Sequence, residues 1–168
     1  MRTKVFLGLF WLLGLCGSLN AQEITGFWKS IDDKTGKMDC VLAVYEYENK
    51  YYGRIITTCN DNGVIEDSIY APKKRAPGVK GNPFYCGMDI IWNLRPQSSW
   101  YVGKIIDPKK GNVYSAQLFL KEGALAVRGK LLVFSQTELW PAAQDSDFPA
   151  GFKKPDCSKF VPVIPQKL

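Results

Sequence analysis

A chain of 168 residues with a formal charge of +6, 13% aromatic residues and no histidine excludes several functions at once. Triads and dyads built on an imidazole base cannot form, and neither can a zinc site that uses histidine. The densest basic cluster, Lys73-Lys74-Arg75 with Lys80, lies in a Pro/Gly-rich stretch and makes no concentrated stripe of the kind nucleic acid requires.

The chain opens with Arg2 and Lys4, then an apolar run from Val5 to Leu15, then Ser18-Leu19-Asn20-Ala21. This is the pattern of a secretory signal peptide. Cleavage is expected after Ala21, with Leu19 at the −3 position and a mature start at Gln22. The apolar run is shorter than the about 20 residues a bilayer span needs. Leu13-Gly14-Leu15-Cys16 leaves lipidation of Cys16 as an alternative, although Leu15 stands where lipoprotein processing prefers a small side chain. The expected organisation is a signal peptide over 1–21, a β-barrel domain over 22–140 and an extended tail over 141–168. The product is expected to be periplasmic or secreted, monomeric and without a transmembrane segment in the mature chain.

Residues 24–30 read as a first strand, and residues 31–37 as a polar turn region. Residues 39–47 and 51–58 are rich in β-branched and aromatic side chains and read as a hairpin around Asn49-Lys50. Residues 60–85 carry Asn62-Gly63, Pro72, Pro77, Gly78, Gly81 and Pro83 and little periodicity, the mark of a long functional or mobile loop. A strand follows over 87–94, then a turn at Arg95-Pro96-Gln97. Residues 100–129 form a three-stranded meander with turns at Asp107–Asn112 and Lys121-Glu122-Gly123. A turn near Gly129-Lys130 and a last strand over 133–140 complete it. Pro141, Pro149, Pro155, Pro162 and Pro165 keep the tail extended. The fold class is therefore all-β: about eight antiparallel strands in an up-and-down barrel, which removes exposed sheet edges.

Four cysteines follow the expected cut: Cys40, Cys59, Cys86 and Cys157. An even number in an exported chain suggests two disulfides. A loop of Asn49-Lys50 would set Cys40 opposite Cys59, at the Cα separation of about 4.5–5.5 Å that a bridge allows. Cys86 would then take Cys157. A Cys59–Cys86 bond closing the neck of the long loop is the rival.

The order of motifs resembles a known family. Gly26, Trp28, Asp32-Asp33-Lys34-Thr35-Gly36, Tyr52-Gly53-Arg54-Ile55, Trp100, Gly103 through Pro108, Gly111, Tyr114, Val127-Arg128-Gly129 and Trp140 are similar to the bacterial domain-of-unknown-function 2147 family. That resemblance implies a lipocalin-like (calycin-type) barrel in a Gram-negative envelope, and no activity. Gly26-Phe27-Trp28 also resembles the first-strand Gly-x-Trp of lipocalins. The resemblance makes Trp28 a barrel-end plug with Arg128 as its cationic partner. The chain departs from the family at Phe134 through Trp140, and the segment beyond Trp140 looks like an extension.

No catalytic set emerges. Asp32, Asp33, Glu46, Asp89, Asp107 and Glu138 are the carboxylates available for acid–base work, and Asp107 before Pro108 reads as a turn-former. Asp89 and Glu138 lie within strands, where an inward carboxylate needs a partner such as Arg54 or Arg128. No metal or cofactor is expected. The candidate ligand contacts are Trp92, Trp100, Tyr114, Arg128 and Glu138, with Tyr114 and Arg128 as a polar anchor if both point inward. Trp28, Asp107 and Trp140 are assigned structural roles. The function expected is non-enzymatic: an envelope barrel binding a small apolar or amphipathic ligand between the sheet and the loop over 60–85. The alternative is a filled-core interaction protein that uses that loop and the tail as its contact surface.

Overall fold

The computed structural model describes residues 22–131 and 134–168. The expected cut after Ala21, and Cys16, lie outside them. The strands are β1 (Gly26–Ile31), β2 (Met38–Tyr47), β3 (Lys50–Cys59), β4 (Ile65–Ser68), β5 (Asp89–Gln97), β6 (Trp100–Asp107), β7 (Asn112–Lys121), β8 (Ala124–Leu131) and β9 (Phe134–Pro141). Their order in the sheet is β1-β2-β3-β5-β6-β7-β8-β9, with β4 paired to β3 off that path. Each pairing is antiparallel. A bridge between Trp28 and Ala142 and a hydrogen bond from Ala143 N–H to Phe27 O at 2.9 Å bring the first and last strands together. Eight strands thus form a nearly closed antiparallel barrel, as the alternation of the sequence leads one to expect.

The interior follows from the period of two. Ala116 and Leu118 on β7 face Gly129 and Val127 on β8, and Ala116, Leu118 and Val127 join Leu42, Val44, Ile55, Leu94 and Leu125 in one core. The β3–β5 pairing carries a bulge: Gly53 opposes Ile91 while Arg54 opposes Asp89, so Ile90 is the extra residue. Ile90 and Ile91 both enter the core. Glycine at 53 is what allows it, because a Cβ there would lie 3.0 Å from the Ile91 Cβ.

One end of the barrel is plugged. The β2–β3, β5–β6 and β7–β8 turns gather there. Ile24 is wholly buried and its carbonyl accepts from Trp28 Nε1 at 2.9 Å. The Tyr51 and Tyr101 rings meet edge to face at 4.7 Å.

Several expected boundaries shift. The β2–β3 loop is Glu48-Asn49, both with positive φ (49° and 59°), the signature of a primed two-residue turn. Tyr47 therefore pairs with Lys50, and after a bulge at Val41/Leu42, Cys40 pairs with Thr58, not with Cys59. The turn expected at Arg95-Pro96-Gln97 is strand: Pro96 pairs with Tyr101. Its missing N–H is tolerated because β3, the neighbour on the other side, ends its pairing at Tyr51↔Leu94. Gly129 and Lys130 are also strand, since β8 continues to Leu131↔Phe134.

The stretch over 60–85 is more ordered than expected. It contributes β4, and the buried Asp67 accepts from Lys73 N–H and Lys74 N–H at 2.9 and 2.8 Å. Ala76 and Val79 join the core cluster. The tail runs extended, with two single 3₁₀ turns at Asp145–Asp147 and Cys157–Lys159. It meets the loop through Lys80 N–H to Gln166 O at 2.9 Å and a Val79–Lys167 bridge.

Candidate functional site

Opposite the plug the barrel is hollow. A cavity of about 750 Å³ opens there, walled by Ile55, Ile90, Ile105, Tyr114, Val127 and Trp140. Its polar rim comprises Ser30, Asp39, Asp107, Lys109, Gln136 and Glu138. Every strand of the eight-strand path reaches this rim or wall within its mouth-side half, β2 through its first residues, Asp39 and Cys40.

Glu138 is the half-buried carboxylate of the rim. Its Oε2 accepts from Trp140 Nε1 at 3.0 Å, and the indole itself is buried. Burial raises the Glu138 carboxyl above its ordinary range; the Trp140 hydrogen bond opposes this, and the charges of Asp33 and Asp39 add to it. Asp107 holds the β6–β7 turn by accepting from Lys109 N–H at 2.9 Å and Lys110 N–H at 3.2 Å. That turn is braced from outside: Gly78 N–H donates to Pro108 O at 3.1 Å, and Gly78 lies flush on Gly111, where no Cβ fits. The loop over 60–85 is therefore a buttress of the rim. It supplies no residue to the cavity, which lies inside the barrel and not between the sheet and that loop.

Of the five candidate ligand contacts, Tyr114 and Glu138 line the cavity, and Trp92, Trp100 and Arg128 do not. Trp92 packs against the core from strand β5, opposite Lys104. Arg128 lies between Val127 and Gly129, which face inward, so its own side chain faces outward. It donates to Thr137 Oγ1 at 3.0 Å and stands over the Trp100 and Phe119 rings at 5.9 and 5.7 Å. The expected Arg128–Trp28 pairing and the Tyr114–Arg128 anchor both fail on this parity. Ser30, Asp39 and Gln136 were missed; they sit at strand ends, where alternation carries little signal. Trp28 and Trp140 are both buried in the core.

The four thiols are unbonded. Cys40, Cys59 and Cys86 lie buried near the mouth, close enough for their charges to be felt by one another. Burial pushes the Cys59 thiol up to about 11 and the Cys86 thiol to about 12. Cys157 is on the tail, near Arg54, with its Sγ against Pro155 O. Neither the Cys40–Cys59 with Cys86–Cys157 set nor the Cys59–Cys86 bond is formed.

Asp89 does find Arg54, but on the outer face of the barrel. Arg54 donates Nε to Asp89 Oδ1 at 3.1 Å and Nη2 to Oδ2 at 2.9 Å, a bidentate pair. Tyr45 Oη donates to the same carboxylate at 2.9 Å. The tail roofs this site: Arg54 Nη2 donates to Val161 O at 2.6 Å, Val163 N–H donates to Asp89 Oδ2, and the Phe160 ring covers the guanidinium at 4.4 Å.

An eight-stranded antiparallel barrel, plugged at one end and hollow at the other, is a lipocalin-like fold. The model of the family described as uncharacterized protein conserved in bacteria (DUF2147) matches residues 26–141, and the chain belongs to that family. HP1028 from the human pathogen Helicobacter pylori, described as belonging to the lipocalin family, shares the fold with a TM-score of 0.58. The likeness covers 74% of this chain and 86% of that one, at 16% identity. No curated protein matches the chain.

Proposed function

We propose that this is an exported bacterial envelope protein whose barrel binds one small apolar or amphipathic molecule, without catalysing a reaction on it. The observation that carries the reading is the cavity: about 750 Å³, lined largely by aliphatic and aromatic side chains, with a small set of polar groups among them. Ligand sites typically have volumes of about 300–1,000 Å³ and this division of lining. Eight strands are enough to hold one small ligand.

Native mass spectrometry of protein extracted under mild conditions tests it. A stoichiometric adduct that is lost when Val127, in the cavity wall, is replaced by Trp supports the reading. A uniformly unliganded protein that also takes up no apolar fluorophore defeats it. Export is tested on the same material: the N-terminal residue of the extracted protein should be Gln22. A chain still starting at Met1 or Arg2 and recovered from the cytoplasm would remove the envelope from the proposal.

A second reading rests on the tail. Val161, Val163, Ile164 and Leu168 expose between 42% and 75% of their surface, which suits an interaction face. Crosslinking in intact cells with Ile164→Glu separates the two: loss of a partner with the cavity still loaded favours the contact surface.

A further inference from the structure

The whole chain is basic, yet the rim of its cavity is not. Asp39, Asp107 and Glu138 face one lysine, Lys109, in the lining. Asp33 stands just behind, accepting from the rim residue Gln136 at 2.9 Å. Asp107 spends an oxygen on its own turn. Among the described residues Glu138 and Asp39 make no ion pair, and the hydrogen bond to Glu138 comes from the neutral Trp140 indole. A carboxylate held partly out of water with no cation opposite is costly to keep charged. An incoming ammonium group supplies the missing partner. The same wall offers Tyr114 and Trp140, aromatic faces that favour a cation.

We propose that the cavity selects amphipathic cations: an apolar chain carrying a primary amine, its ammonium group at Glu138 and its chain along Ile55, Ile105 and Val127. This rests on the reading of the barrel as a ligand carrier and assigns the class of ligand. Fatty acids, with an anionic head, would be disfavoured at the same rim.

Three ten-carbon probes decide it: decylamine, decanol and decanoate, each titrated calorimetrically below its micelle concentration into the mature chain. The expected order is amine, then alcohol, then carboxylate. A charge-assisted bond exceeding a neutral one gives an amine preference of about tenfold over the alcohol. Diffuse attraction to a basic protein would favour decanoate, so the expected order can only come from the rim. Glu138→Gln should shrink the amine-to-alcohol ratio to about one, and Asp39→Asn should shrink it less. Decanoate binding as tightly as decylamine, or an amine preference unchanged in both variants, overturns the proposal while leaving a ligand-binding barrel in place. If none of the three probes binds, the carrier reading fails with it.

Discussion

The buried Arg54–Asp89 pair offers the sharpest test of how the tail is held. Asp89 has a side chain with no exposure and Arg54 one with 9%. Two carboxylate oxygens accept from Arg54 twice, from Tyr45 Oη and from Val163 N–H. Asp89→Asn leaves one acceptor oxygen and points two amide hydrogens at the same donors. At least two donors then lose their partners, at about 1–3 kcal/mol each, and the guanidinium stays buried without its counter-charge. The summed expectation is the about 3–5 kcal/mol typical of breaking a buried pair. For a chain of this size that corresponds to a fall in Tm of about 6–20 °C. Urea unfolding followed by tryptophan fluorescence measures it. The companion variant ends the chain at Lys159 and so removes Phe160, Val161 and Val163, the roof of the pair. With water admitted, Asp89→Asn should cost less than about 1 kcal/mol in that shortened background. An equal cost in both backgrounds, or a cost under about 1 kcal/mol in the full chain, would refute the argument that burial by the tail sets the energy of this pair.

Other consequences are simpler to state. Because burial raises the Glu138 carboxyl, the folded state binds a proton that the unfolded state has already released, so stability falls as pH rises from the ordinary value of 4.5 through the folded one. Glu138→Gln keeps an acceptor for Trp140 and should make the unliganded protein more stable than the parent at pH 7, with the gain vanishing at pH 3; urea midpoints at the two pH values check the sign. Gly78→Ala places a Cβ 2.7 Å from Lys110 C and 2.9 Å from Lys109 C, both backbone atoms that cannot swing aside. A loss of about 1–3 kcal/mol is expected, with weakened ligand binding because the displaced turn carries Asp107 of the rim. Finally, burial raises all four thiols, but Cys40, Cys59 and Cys86 are buried whereas Cys157 is only partly so. Mass spectrometry of native protein treated with iodoacetamide at pH 7.5 should find Cys157 modified first and the other three protected until denaturant is added.

The meander from Trp100 onward was legible because each turn announces itself. Asp107 caps its own turn, Glu122 and Gly123 both take positive φ, and one face of each strand is plainly more apolar than the other. Parity was legible there too: Arg128 stands between Val127 and Gly129, and Val127 shares its face with Leu125, so the outward position of the arginine could be read from the strand alone. The resemblance to lipocalins argued the other way and was misleading at that residue. In β2 and β3 alternation gave no such guide. Val41, Ala43, Tyr45 and Ile56 are as buried as Leu42 and Val44, because residues 160–163 of the tail, about a hundred positions away, help cover the outer face. A strand apolar on both faces does not say which is the inside. The hairpin register failed for a local reason. Asn49 fits either position of a two-residue turn that takes positive φ twice, and the sequence does not signal that Glu48 occupies the other.

The same asymmetry bears on how a ligand would enter. The loop and the tail lie over β2, β3 and β5, and those strands are joined by ladders as well. Between β1 and β9 the contacts differ. At the plugged end Trp28 bridges Ala142 and Ala143 bonds to Phe27. Toward the mouth no ladder joins the two strands among the described residues, and Gln136 Nε2 to Asp33 Oδ2, an exposed side-chain bond, spans the gap. Parting any other pair of barrel strands breaks several backbone hydrogen bonds, whereas parting this seam at the mouth breaks one that water readily replaces. Glu138 sits on β9 at that seam, two residues from Gln136. The weakest line of the barrel and its half-buried carboxylate are therefore neighbours.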